Sequence, residues 1–309
     1  GTGKTPMTLF LSGLLTKNNI SHVIISRGYK KGRGGSFVVN TNNHSPKDCG
    51  DEPFLMATKL IKTPVVVGNK KHRAISLAIK MFNPKAILLD DGFQSLSIGR
   101  DLDIVLINSL DYKKPFCLIP LGNLREKITA LQRANLVVFT KNNLLDKKNI
   151  ANKYKQSIIN QLKEYNIPFL FSNIKSKLLL CCLDDLSIKK CSMFINSTPS
   201  LGFCGIGDPI SFKKTMKLYF KNIVHIENYE DHYNYHKNCS VLMNLVKYQF
   251  KKNKIKNIVV TYKDWIKIKG VLSGFFSWLK KNKLSLYIID IDIELNDKSL
   301  LLDESLKHL

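Results

Sequence analysis

Gly1-Thr2-Gly3-Lys4-Thr5-Pro6 has the residue types and spacing of the second half of a phosphate loop, G-x-x-x-x-G-K-[ST]. In such a loop, backbone N–H groups at a helix N-terminus cradle phosphate oxygens. The lysine, here Lys4, reaches the β- and γ-phosphates of a nucleotide, and the hydroxyl, here Thr5, coordinates Mg²⁺. The competing reading is a chance Gly-Lys-Thr in a lysine-rich chain. Two acidic clusters suit the same chemistry. Gly50-Asp51-Glu52-Pro53 sets two carboxylates at the start of a helix. Phosphoryl transfer needs a base for the acceptor hydroxyl and carboxylates on the metal. Acids also favour helix N-termini with no chemistry at all. Ala86 to Leu89 is an apolar strand that ends in Asp90-Asp91-Gly92-Phe93-Gln94. A Walker B strand delivers carboxylate to metal in this way, although an aspartate there can equally cap a turn. Arg27, after the first strand, and Arg125, in Leu121 to Glu126, could each meet phosphate or could hold a turn or helix end. His232, in Glu230-Asp231-His232-Tyr233, is the only histidine flanked by acids, a pairing that can tune a base.

These groups need a frame that brings loops to one edge. In the first half, strands are predicted at 22–26, 64–67, 86–90, 103–107 and 136–139, with helices at 6–17, 52–62 and 70–82. Continuous apolar runs separated by helices indicate a parallel sheet covered on both faces. Ligands of such sheets bind at the C-terminal ends of the strands. The second half alternates again, with strands near 167–171, 200–204, 223–227, 257–261 and 284–290, and helices near 209–220, 236–252 and 263–280. The lysine- and asparagine-rich stretch 141–153 reads as a linker or the start of a surface helix. We therefore expect an α/β chain of two lobes, 1–145 carrying the phosphate loop and 146–309 forming a smaller second lobe.

Composition bounds the rest. The chain of 309 residues carries a formal net charge of +24, with 42 Lys against 6 Arg. Such a field could serve nucleic acid, an anionic membrane or a phosphorylated substrate. The lysine excess without aromatic interleaving reads as compositional bias with a mild membrane preference, and no nucleic-acid partner is expected. The six arginines all lie before residue 134 and mark candidate sites for a planar bidentate fork. Seven scattered cysteines without a C-x-x-C pair argue against a zinc site or a disulfide framework. No run of about 18 apolar residues is present to span a membrane. The motif begins partway through, so the chain is expected to start inside its own fold.

Taken together and in order, the segments GTGKTP, SRGY at 26–29, GDEP at 50–53, VGNKKHRA around Arg73, LLDDGFQ at 88–94, RDLDIV at 100–105, PLGNLRE at 120–126, GIGDP at 205–209, EDHYNY at 230–235 and TYKD at 261–264 resemble one family. It is the tetraacyldisaccharide 4′-kinase family, which phosphorylates the 4′-hydroxyl of a lipidated glucosamine disaccharide in the lipid A pathway. The resemblance implies a P-loop kinase of two α/β/α lobes that close over the site, with ATP and Mg²⁺ as cofactors. By that resemblance Gly1, Thr2, Gly3, Lys4 and Thr5 bind ATP, and Asp51 is the base, paired with His232 from the other lobe. Thr5, Glu52, Asp90 and Asp91 are expected at the metal, and Arg73, Gln94 and Arg125 at phosphate or substrate. It also implies a monomer at the cytoplasmic face of the bacterial inner membrane, acting on a lipid A precursor. The family's N-terminal anchor helix, strand and first half of the phosphate loop have no counterpart in this sequence. Four positions depart from the family pattern: Ser95, Asn123, Tyr233 and Tyr262. The alternatives are another P-loop ATPase or small-molecule kinase, and a basic nucleic-acid-binding protein with a vestigial loop.

Overall fold

The computed structural model describes residues 1–28, 32–110, 118–119, 121–122, 124–145, 151–192, 194–195, 197–270 and 272–307, with the backbone alone at 151–153. Tyr29 and Asn123 therefore lie outside the described residues. The first half contains α1 (Lys4–Lys17), β1 (His22–Ser26), β2 (Ser36–Val38), α2 (Pro46–Cys49), α3 (Asp51–Lys59), β3 (Val65–Gly68), α4 (Lys71–Phe82) and β4 (Ala86–Leu89). Next come β5 (Ile104–Asn108), β6 (Leu136–Thr140), α5 (Ala151–Glu164), β7 (Phe169–Cys181), β8 (Ile188–Cys191), β9 (Ser200–Cys204), α6 (Pro209–Met216) and β10 (Ile223–Asn228). The chain closes with α7 (Cys239–Asn253), β11 (Asn257–Thr261), α8 (Tyr262–Lys269), α9 (Ser273–Lys281), β12 (Ser285–Leu295) and α10 (Lys298–Leu306).

The strands form two sheets. One has the order β2-β3-β1-β4, and its pairs are parallel except at the short edge strand β2. The other runs β10-β9-β11-β12-β7-β6-β5, with β8 paired to β7. It is parallel apart from the β12–β7 and β7–β8 pairs. The β-branched runs explain the interior strands: Val-Ile-Ile in β1, Val-Val-Val in β3 and Val-Val in β6 are buried completely. Strands covered by helices on both faces need apolar residues at successive positions. The phosphate loop enters α1 through Gly3, whose φ of 93° is left-handed, a conformation cheap only for glycine. A buried Ser12–His22 bond of 2.8 Å fastens α1 to the start of β1, so His22 is a structural histidine.

Several elements differ from the sequence reading. The single helix expected over 263–280 is two, α8 and α9, because the chain breaks at Gly270. The strand expected at 167–171 continues to Cys181, pairing first with β6 and then with β12. The strand pair β6–β7 also spans the lysine-rich stretch, and Lys141 within that stretch is buried. No helix among the described residues is long and apolar enough to cross a membrane.

Candidate active site

The site forms where the C-terminal ends of β1, β4 and β6 meet the N-termini of α1 and α3. Thr140, at the end of β6, donates from Oγ1 to the Thr2 carbonyl at 2.8 Å, and Lys141 Nζ donates to the Gly1 carbonyl at 2.6 Å. Lys141 also pairs with Asp208, which caps α6. The loop at Gly1–Gly3 is therefore held by the end of β6, and Lys141 is held in turn by Asp208 of the second half. Lys4 lies 3.4 Å from Asp91, and Thr5 is half-buried in the first turn of α1.

Asp90 is the most isolated acid in the site. It is 5% exposed, and its Oδ2 accepts from Ser26 Oγ at 3.1 Å. Its Oδ1 is buried without a partner among the described residues. Burial, with the nearby negative charges of Glu52 and Asp91, raises its pKa to about 6. A buried carboxylate with one orphaned oxygen, facing a phosphate loop, fits a hard cation such as Mg²⁺. Among the described residues, no three His, Cys, Asp or Glu side chains converge enough to form a complete metal cage. Asp91 is engaged by cations instead. Arg125 Nη1 donates to its two oxygens at 2.9 and 3.1 Å, and Lys71 Nζ donates to its carbonyl. Burial would raise the Asp91 pKa, but Arg125 and Lys4 outweigh it and hold the carboxyl below the usual range. Gln94 lies at 3.5 Å from the same guanidinium. Arg73 is exposed on α4 and makes no ion pair among the described residues, so its site role lacks a contact here.

Asp51 and His232 meet across the two sheets. Asp51 opens α3, and His232 Nδ1 lies 3.1 Å from its Oδ2. An ionised carboxylate only accepts, so the imidazole Nδ1–H donates. His232 sits at φ 63°, a left-handed turn that points the ring at Asp51. Burial would raise the Asp51 pKa, but the His232 bond with Lys267 and Lys263 outweighs it and lowers the value. Asp51 is thus ionised at neutral pH.

Sequence reasoning missed the second ring of charges. Lys263 bridges Glu52 at 3.1 Å and Asp231 at 3.2 Å. Lys267 lies 3.8 Å from Asp51 and 3.3 Å from Asp264. Asp264 has no exposed surface; it accepts from both Gly205 N–H and Tyr235 O–H, at 3.1 and 3.0 Å, and from Thr261 Oγ1 at 2.6 Å. It therefore ties the Gly205 loop and the His232 loop to α8. The TYKD segment contains Lys263 and Asp264 and was a visible signal, whereas Lys267 had none among 42 lysines. Asp264→Ala strands buried donors and leaves Lys267 short of a partner. We expect a loss of about 3–5 kcal/mol, measured by urea unfolding.

The departures from the family pattern are accommodated locally. Tyr233 stacks on Tyr229 at 4.1 Å, Lys59 sits over the Tyr262 ring at 4.7 Å, and Ser95 Oγ accepts from Lys71 at 3.2 Å.

The family model described as Tetraacyldisaccharide-1-P 4'-kinase matches residues 1–308. A tetraacyldisaccharide 4'-kinase from Halothermothrix orenii is 30% identical over 96% of this chain and 77% of its own. One from Elusimicrobium minutum is 30% identical over 96% of this chain and 76% of its own. A crystal structure of LpxK from Aquifex aeolicus in complex with ATP is similar with a TM-score of 0.67 at 25% identity, covering all of this chain and 84% of that one.

Proposed function

Because the chain belongs to the tetraacyldisaccharide-1-P 4'-kinase family, we propose that it transfers the γ-phosphoryl group of ATP to the 4′-hydroxyl of a tetraacylated glucosamine disaccharide 1-phosphate. The observation that carries the catalytic reading is the 3.1 Å Asp51–His232 contact, a base and its orienting imidazole contributed by opposite sheets. In this reading Gly1 to Thr5 hold the nucleotide phosphates, with Lys4 on the β- and γ-phosphates. Asp51 takes the proton of the attacking hydroxyl as its oxygen bonds to the γ-phosphorus and ADP leaves. His232 keeps the carboxylate aimed. Asp90 and Thr5 would hold Mg²⁺, with Glu52 and Asp91 at its margin; bound there, the ion neutralises charge on the phosphates. Lys4 and Arg125 stabilise charge spreading onto the transferring group, and Arg73 and Gln94 are kept as outer phosphate or substrate contacts.

The lipid substrate is supported by an apolar rim beside Arg125. Leu118, Ile119 and Leu121 are 41%, 62% and 80% exposed, which suits acyl chains more than water. The charge of +24 suits the anionic surface of the inner membrane and a substrate that already bears phosphate. We retain a monomer that works by closure of two lobes, 1–145 and 146–309, since Asp51 and His232 fall on opposite sides of that division.

The test follows γ-labelled ATP with and without tetraacyldisaccharide 1-phosphate in detergent micelles. Label in the lipid is the expected result. Label appearing only as inorganic phosphate, at a rate indifferent to lipid, would favour a P-loop ATPase.

A further inference from the structure

Asp51 is gripped by one oxygen only. Its Oδ2 meets His232 Nδ1 at 3.1 Å and Lys267 Nζ at 3.8 Å, whereas Oδ1 has no hydrogen-bond partner among the described residues. Lys267 comes from α8, beside the other sheet. Its side chain is 8% exposed and lies over the Tyr235 ring at 5.3 Å. A buried ammonium is costly unless it is paired. Asp264 Oδ1, at 3.3 Å, supplies one negative charge. That carboxylate already accepts from Gly205 N–H, Tyr235 O–H and Thr261 O–H, so it needs no further donor. Lys267 therefore stands between two carboxylates, one locked in the fold and one in the site. At 3.8 Å it acts on Asp51 as a charge and not as a hydrogen-bond donor.

Lys263, one helical turn earlier on α8, repeats the arrangement with Glu52 at 3.1 Å and Asp231 at 3.2 Å. Two consecutive acids of α3 thus meet two lysines on one face of α8. At the far end of α3, Lys59 pairs with Asp290 and lies over the Tyr262 ring at 4.7 Å. The register of α3 on α8 is fixed at both ends. We propose that Lys267 is a positioning residue for phosphoryl transfer: with His232 it holds Oδ2 of Asp51, and so leaves Oδ1 as the oxygen that takes the proton of the acceptor hydroxyl. This rests on the reading of Asp51 as the base. The proton passes to Oδ1 as the hydroxyl oxygen bonds to the γ-phosphorus and the bond from phosphorus to the ADP oxygen breaks. Asp51 is flanked by Glu52 in the chain and by Asp231, which lies 3.9 Å beyond His232 Nε2. Those charges and the nucleotide phosphates repel an anionic base, and the fixed cation behind it keeps it in place.

Lys267→Met keeps an unbranched side chain over Tyr235 and removes the charge. Because that leaves Asp264 uncompensated, Lys267→Met/Asp264→Asn removes both charges together and guards against a variant that fails to fold. Each is made in the parent chain and in Asp51→Asn, with melting temperatures to confirm folding. In the parent, kcat for lipid phosphorylation is expected to fall about 10- to 100-fold, with the KM for ATP changed by less than about twofold. Where Asp51 is already asparagine, the same substitutions are expected to change kcat by less than about twofold. An equal loss of kcat in both backgrounds, or a loss carried by KM, would make Lys267 purely structural and overturn the proposal while leaving Asp51 as the base. Full activity of Asp51→Asn would instead remove the base reading, and the proposal with it. A readout without turnover is the Nδ1 proton of His232 in the ligand-free protein, identified by NMR through its loss in His232→Ala. Its slowly exchanging downfield signal is expected to vanish in Lys267→Met/Asp264→Asn, and its persistence unchanged would also overturn the proposal.

Discussion

Asp51→Asn lowers kcat for lipid phosphorylation by about 10²- to 10⁴-fold, the range set by removing a positioned general base. The amide keeps the size and the hydrogen-bonding reach of the carboxylate, so the KM for ATP changes little. His232→Ala costs less, since the base survives but loses the donor at 3.1 Å that aims it. The two side chains act as a unit, so the double variant is no slower than Asp51→Asn alone. Steady-state kinetics of the four proteins read this directly. Equal additive losses would mean that the two groups work at separate steps.

Asp90→Asn moves stability and activity in opposite directions. In the folded chain the carboxyl titrates near pH 6, against an ordinary value of 3.8. The shift is upward, so the folded state binds the proton more tightly than the unfolded chain does. The stabilising effect of that proton is complete below about pH 4 and is lost as pH rises through 6. At pH 7.5 the ionised, half-partnered carboxylate therefore destabilises the ligand-free protein by up to about 3 kcal/mol. Asparagine removes that penalty and can still accept from Ser26. The variant should melt higher than the parent at pH 7.5 and equally at pH 4, while phosphate transfer falls by at least about 100-fold through loss of the cation site. A variant that melts lower at pH 7.5 would show that Asp90 is held by the fold and not strained for function.

Much of this was legible in the residues. Unbroken runs such as Val65-Val66-Val67 and Val137-Val138 can only be interior strands, and both are buried fully. Gly3-Lys4-Thr5 at the start of α1 and the acid pair directly after the apolar β4 are local signals, and the structure places both at one site, Lys4 3.4 Å from Asp91. The pairing of Asp51 with His232 is different. The residues lie 181 positions apart, and only resemblance to a family brought them together in advance. Lys267 was hidden for another reason: in a chain with 42 lysines, residue type carries no information, and its role comes from burial beside Asp51 and Asp264. The left-handed turns at Asp91 and His232, which aim both site loops, occur at residues that do not demand positive φ.

³¹P NMR of the lipid recovered after incubating the protein with ATP, Mg²⁺ and tetraacyldisaccharide 1-phosphate reads which hydroxyl receives the phosphate. One new phosphomonoester, on the 4′ carbon, is expected from the parent chain and is missing with Asp51→Asn. Phosphate on a different hydroxyl, or a 4′-phosphate formed equally well by Asp51→Asn, would contradict it.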